Sequence, residues 1–185
     1  VPTDTDAVTV NIAPTTIPSV TIPTATAARA ASLTIGSAST TNAVTLTFAD
    51  ATSTLAVGNV TMYTPSVSTP GTVSRTINVN AGSLTTTGYL YLGTGSATTS
   101  GTLSNQVVIT TGTLTVAGSI VMNPGNRASI PATQNVINMG GSTGTLKIGG
   151  TFTINVAGTL SAGTAGSTVE FNGTAHLRPE LALVD

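Results

Sequence analysis

The chain has 185 residues, of which 6% are charged and 3% aromatic, and its formal net charge is −1. An ordinary soluble domain has about 25% charged residues, so the composition excludes a basic nucleic-acid-binding surface and leaves few groups for acid–base catalysis. There is no Cys, which excludes disulfides and thiolate chemistry, and no apolar run approaches the roughly 18 residues of a membrane-spanning helix. We therefore expect no enzyme, no cofactor, no nucleic-acid partner and no membrane span.

Residues 1–30 form a segment rich in Thr, Pro and Ala. We expect it to be extended, because Pro cannot donate to a β-ladder. Two alternating stretches in it could pair as strands, in this molecule or in a neighbouring copy, and their apolar residues are candidate inter-subunit contacts: Val8, Val10, Ile12, Val20 and Ile22. The chain begins with Val1 rather than Met, which suggests removal of a leader peptide. We therefore expect an extracellular or cell-surface location.

Alternation of apolar residues with Thr or Asn recurs along the chain. It is found at residues 8–12, 44–48, 76–79, 89–92 and 151–154. A period of two predicts half-buried β-strands, and Thr and Val, which dominate the composition, suit a pleated surface. No window of ten residues shows a helical period. The sequence predicts an all-β chain.

One sequence unit repeats along the middle of the chain. Leu84, Leu114 and Leu146 are each followed by Gly at the fourth position and by apolar residues at the sixth and eighth, and Leu55 begins the same unit with one residue deleted. The four Leu anchors are 29, 30 and 32 residues apart. Each unit predicts three short strands joined at corners. The corner glycines are Gly58, Gly88, Gly118 and Gly150, and we expect each to lie where a Cβ would clash or φ is positive.

Three short strands per repeat predict a single-domain parallel β-helix, or β-solenoid, with coils of about 30 residues over residues 31–175. Stacked coils would place the Leu anchors in one inward ladder. The alternative is an antiparallel β-sandwich or jelly roll, which also has short strands with frequent turns. A sandwich does not require the same motif to repeat in phase, so the solenoid is favoured.

The two ends of the chain depart from this repeat. Residues 176–185 form a C-terminal tail in which charge is concentrated, and its candidate inter-subunit residues are His176, Arg178 and Glu180. A stack of coils leaves unpaired backbone groups at both ends, and monomeric solenoids cover them with polar or helical caps. No amphipathic cap helix is evident. We therefore expect copies of the chain to join head to tail as a homopolymer.

Residues 144–154, 158–163 and 167–174 are rich in Gly and Thr in short alternating stretches. In this they resemble the degenerate repeats of secreted bacterial β-solenoid surface proteins, such as autotransporter passengers and related adhesins. The resemblance covers residues 76–175. It implies export, surface display and an adhesive or structural role, and it supplies no catalytic residues.

Few residues suggest a chemical site. His176 is the only His, so a His-based metal site or catalytic triad lacks partners. Asp4 and Asp6 could contribute to a structural Ca²⁺ site, although Ca²⁺ prefers six to eight oxygen ligands. Asn59 and Asn172 each begin an Asn-X-Thr sequon and are candidate glycosylation sites.

These features together predict an exported structural protein, a subunit of an extracellular filament, pilus-like fibre or surface layer made of copies of itself. The alternative is a β-solenoid adhesin module that binds glycans or host or environmental surfaces. A third hypothesis is ice binding by Thr ladders beside the Leu ladder. The outward pairs there are Thr54/Ala56, Ser83/Thr85, Thr113/Thr115 and Thr145/Lys147, and Ala56 and Lys147 interrupt the array.

Overall fold

The computed structural model describes residues 2–11, 19–37, 43–64, 72–94, 102–122, 134–140, 143–154, 158–161 and 166–173. Within these ranges the chain forms strands and turns and no helix, which confirms the all-β prediction. The strands are β1 (Ala7–Val10), β2 (Ser19–Ile22), β3 (Ala27–Ile35), β4 (Val44–Phe48), β5 (Thr54–Tyr63), β6 (Thr72–Asn80), β7 (Ser83–Thr86), β8 (Leu90–Thr94), β9 (Thr102–Ile109), β10 (Thr113–Val116), β11 (Ile120–Met122), β12 (Gln134–Asn138), β13 (Thr145–Ile148), β14 (Phe152–Ile154), β15 (Gly158–Ser161) and β16 (Thr168–Phe171).

The strands stack on three faces, and every strand pairing among the described residues is parallel. Face A consists of residues 27–30 of β3, residues 54–57 of β5, and then β7, β10, β13 and β16. Face B consists of β1, residues 32–35 of β3, residues 60–63 of β5, and then β8, β11 and β14. Face C is a separate six-stranded sheet of β2, β4, β6, β9, β12 and β15.

The interior is built from ladders of stacked apolar side chains. Leu55, Leu84, Leu114 and Leu146 pair in register on face A and are all buried, as the repeat predicts. This ladder ends at Ala28 toward the N-terminus and at Val169 toward the C-terminus. Successive side chains of a strand point to opposite faces, so the intervening Thr and Ser residues point outward. Parallel stacking in these three faces confirms the parallel β-helix, and the antiparallel sandwich is wrong.

The corner between faces A and B is a column of stacked glycines. The Gly88 amide donates to the Gly58 carbonyl at 2.7 Å, Gly118 to Gly88 at 3.0 Å, and Gly150 to Gly118 at 2.8 Å. None of these four glycines has a positive φ. They are required by close approach, because a Cβ on Gly118 would lie 2.5 Å from the Gly88 carbonyl oxygen. Of the two reasons predicted for these corner glycines, the structure shows the Cβ clash and not the positive φ.

The one-residue deletion predicted after Leu55 is visible at this corner. Val57 pairs with Thr86 and Val60 pairs with Leu90, so β5 crosses the corner with one residue fewer than the next coil. The Asn59 side chain compensates, since its Oδ1 accepts the Tyr89 amide at 2.8 Å. As a result β5 continues as one strand through a corner where later coils break into two.

The N-terminal strands belong to the same stack. β1 pairs with β3 and β2 pairs with β4, so both predicted N-terminal stretches pair within the molecule. β3 crosses the predicted domain boundary at residues 30 and 31. The division of the chain into an N-terminal segment, a repeat domain and a tail stays a prediction.

Candidate assembly surfaces at the two ends of the solenoid

The N-terminal end of the stack presents three strand edges. β1 is the first strand of face B, β2 of face C, and residues 27–30 of β3 are the first rung of face A. No other strand in the described part of the chain pairs with these outer edges. Their N–H and C=O groups can therefore receive a further parallel strand.

An apolar cavity of about 180 Å³ opens at this end. Its lining includes Val8, Val10, Val20, Ile22, Ala28 and Ala30. Val20 is 40% exposed and Val10 is buried at 6%, while Val8 and Ile22 are half-buried against the core. Four of the sequence-predicted inter-subunit residues thus lie together at the open end of the interior.

A compact turn at residues 3–6 lies beside the first rung of face A. The Asp6 carboxylate accepts the Thr3 amide at 2.7 Å and the Thr3 hydroxyl at 2.8 Å, and these bonds lower the pKa of Asp6. The Asp6 carbonyl accepts the Ala31 amide at 2.8 Å. Asp4 pairs with Arg29 at 3.4 Å in an exposed ion pair, a kind that contributes little to stability.

The C-terminal end presents the outer edges of β14, β15 and β16. These are the last strands of faces B, C and A among the described residues. Ile154, Val169 and Phe171 are only partly buried, so the last rung of the interior is incompletely covered by described residues. On the outer surface Lys147 pairs with Glu170 at 3.3 Å.

Polar side chains occupy one inward column on face C. Arg75, Asn105 and Asn135 stack in register and are exposed by 2% or less. Asn105 Nδ2 donates to Asn135 Oδ1 at 2.9 Å and to Thr64 Oγ1 at 3.4 Å. Burial lowers the pKa of Arg75 to about 10, so the guanidinium remains charged at neutral pH.

This inward column was not predicted, although its three residues are 30 positions apart in the sequence. Gly36 and Gly93 have positive φ values of 74° and 86°, and a Cβ on Gly93 would lie 2.7 Å from Asn135 Oδ1. These glycines make room for the column. Hydrogen-bonded buried polar side chains help to specify a unique packing, which is a structural role, and in this column Asn135 Nδ2 has no hydrogen-bond partner among the described residues.

The outward surface of face A carries a column of hydroxyl side chains. Thr54, Ser83, Thr113, Thr145 and Thr168 pair in register. The parallel outward column reads Arg29, Ala56, Thr85, Thr115, Lys147 and Glu170. The two-column hydroxyl array of the ice-binding hypothesis is thus limited to the β7 and β10 rungs.

Two tyrosines and one sequon lie together on the outer surface of face B. The Tyr89 and Tyr91 rings stack with centroids 5.4 Å apart and planes 9° apart, and Tyr89 is 46% exposed. Asn59 is exposed and bonded to the Tyr89 amide. Asn172, of the second sequon, is exposed just after β16.

Four predicted inter-subunit residues cannot be placed. Ile12, His176, Arg178 and Glu180 lie outside the described residues.

In the ranges that are described, no three His, Cys, Asp or Glu residues lie close enough together to form a metal site. The same ranges contain no helix long and apolar enough to cross a membrane.

Comparison with known protein families, with curated protein sequences and with solved structures finds no match to this chain.

Proposed function

We propose that this protein is a structural subunit of an exported homopolymer, in which copies join head to tail through the ends of the β-helix. The observation that carries the proposal is that the outermost strand of each face, at both ends of the described stack, pairs with no further described strand on its outer side. A heterologous contact generates an open fibre when its rotation does not close a ring, and continued stacking along the axis of the β-helix is a contact of this kind.

The side chains at both ends support this function. The N-terminal end exposes Val20 and a cavity lined by apolar residues, and the C-terminal end leaves Val169 and Phe171 partly exposed. Burial of such apolar surface is the main favourable term in association. With 6% charged residues and a net charge of −1, identical copies repel one another weakly.

Electron microscopy and fibre diffraction of the purified chain test the proposal. We expect unbranched filaments whose diffraction has a reflection near 4.8 Å along the fibre axis, because the strands stack in that direction. Deletion of residues 1–25 removes β1 and β2, and we expect it to abolish filaments. Discrete monomers of the intact chain at high protein concentration would contradict the proposal.

Export and surface location are part of this proposal. The sequence supports them through its Gly- and Thr-rich stretches, in which it resembles secreted repeat proteins. Fractionation of the source cells with an antibody against the chain tests the location. We expect the antigen in the medium or on intact cells, and recovery only inside cells would contradict export.

Adhesion to glycans is a second candidate, and the stacked Tyr89–Tyr91 pair favours it. Exposed aromatic rings offer apolar faces with a polar tip, as recognition surfaces often do. A glycan array probed with the wild-type chain and with Tyr89→Ala tests this function. Binding that is equal for the two proteins, or absent from the wild-type chain, would remove it.

A further inference from the structure

We infer that the two ends join in one defined register, in which β16 of one copy pairs with residues 27–30 of β3 in the next. In the same register β14 pairs with β1 of the next copy, and β15 pairs with β2. This inference rests on the proposed head-to-tail assembly and specifies its interface.

The order of the faces along the chain leads to this register. Each face has six described strands, and every coil runs from face B to face C to face A, beginning with β1 and ending with β16. After β16, the next coil would place one strand on face B outside β14, one on face C outside β15 and one on face A outside β16. In a second copy, β1, β2 and residues 27–30 of β3 supply these three strands in the same order, so all three faces continue together.

The inward side chains are complementary in size across this junction. The register places Phe171 against Ala30 of the next copy and Val169 against Ala28, because each pair terminates the same two inward columns of face A. Ala28 and Ala30 line the cavity of about 180 Å³. A cavity of roughly 150 Å³ lined by aliphatic side chains accommodates benzene, so the Phe171 ring can fill this one.

The outward side chains are also complementary. Glu170 ends the outward column that Arg29 begins, so the junction brings opposite charges together. On face B, Thr153 would stack against Thr9 of the next copy, since both lie in one outward column. The junction thus joins no like charges among the residues placed in it.

The N-terminal turn occupies part of the position that β16 would take. Its Asp6 carbonyl accepts the Ala31 amide at 2.8 Å, and its Asp4 carboxylate holds Arg29 at 3.4 Å. Docking therefore requires the turn to move aside and Glu170 to replace Asp4 beside Arg29. The contacts between this N-terminal segment and the first rung include an exposed ion pair and one backbone hydrogen bond, which can be exchanged for equivalent ones in the junction. Pro2 lines the apolar cavity beside Ala28 and Ala30, so docking also requires the Phe171 ring to take the place of Pro2.

Cysteine cross-linking tests the register directly, because the natural chain has no Cys. A chain carrying Ala27→Cys and Thr168→Cys places the two thiols on adjacent strands of face A, where Cα atoms about 4.8 Å apart satisfy disulfide geometry. Within one copy these residues are separated by five strand spacings, or roughly 24 Å, so no internal bridge can form. We expect a ladder of covalent oligomers after oxidation.

The matched control carries Thr21→Cys with Thr168→Cys, two exposed end positions on different faces. We expect at least about tenfold less cross-linking from it. Equal ladders from both chains, or filaments without a ladder from the first chain, would overturn the register while leaving the homopolymer intact. No filaments and no ladder would overturn both.

Two further variants test the contacts in the junction. Ala30→Leu fills the receiving cavity of the folded monomer, so we expect it to raise the critical concentration for assembly by about tenfold or more. Glu170→Arg should also raise the critical concentration, because it places two positive charges at the junction. A mixture of the Arg29→Glu and Glu170→Arg variants should assemble at a lower concentration than either variant alone, because junctions between the two variants pair opposite charges. Filaments of Ala30→Leu that form like wild type would overturn the placement of Phe171.

Discussion

Single atoms at the corner between faces A and B determine how closely the coils can stack. A Cβ on Gly118 would lie 2.5 Å from the Gly88 carbonyl oxygen, a backbone atom that can move only together with the strand ladder to which it belongs. We expect Gly118→Ala to lower the free energy of unfolding by about 2 kcal/mol, because the strand ladder must shift. Gly140→Ala is the control, since its Cβ would meet only the end of the Asn138 side chain. Equal losses in denaturant titrations of the two variants would contradict this account.

Asp50 is one residue whose ionisation should affect stability in acid. The Thr52 hydroxyl and amide donate to its carboxylate at 2.7 and 2.8 Å, and these bonds, the hydroxyl first, lower the pKa of Asp50 below the usual 3.8. A lowered native-state pKa contributes stability above pH 3.8 that is lost as pH falls through the lower value. We expect Asp50→Asn to reduce the melting temperature at pH 7 and the difference from wild type to shrink below pH 3.8. A difference independent of pH would contradict this.

At the scale of a strand, one side chain substitutes for a deleted residue. β5 crosses its corner one residue short, and the Asn59 side chain accepts the Tyr89 amide in place of a backbone carbonyl. We expect Asn59→Ala to cost about 1 kcal/mol of unfolding free energy, a typical net value for one hydrogen bond. Thr61→Ala also destroys the Asn59 sequon and leaves this hydrogen bond intact. Equal destabilisation by the two variants would attribute the effect to a lost glycan, which mass spectrometry detects.

The same strands show which parts of the fold the sequence predicts. Alternation and in-phase Leu residues predict the strands and the ladder of face A, because inward apolar positions are repeated at every coil. The inward positions of Arg75, Asn105 and Asn135 follow the same spacing, but polar residues give no burial signal. The Asp4–Arg29 contact spans 25 residues and has no local pattern, so the N-terminal turn could not be predicted.

At the scale of the whole molecule, the two ends differ, and this difference gives the proposed assembly a direction. A heterologous interface uses one surface from each end, so blocking one end leaves the other able to bind. Val20→Lys places a charge at the open edge of β2, where the side chain is 40% exposed, and Phe171→Lys does the same at the half-buried end of β16. Both sites are partly exposed in the monomer, which allows the variants to fold.

We expect each of these lysine variants to sediment as a monomer by itself, because every contact between copies would then include a blocked end. A mixture should form dimers and no longer species, since only the C-terminal end of Val20→Lys and the N-terminal end of Phe171→Lys remain usable. Sedimentation velocity distinguishes these outcomes, with wild-type protein as the control that continues to elongate. Dimers of either variant alone would indicate contact between like ends, and long polymers in the mixture would show that growth does not depend on β2 and β16.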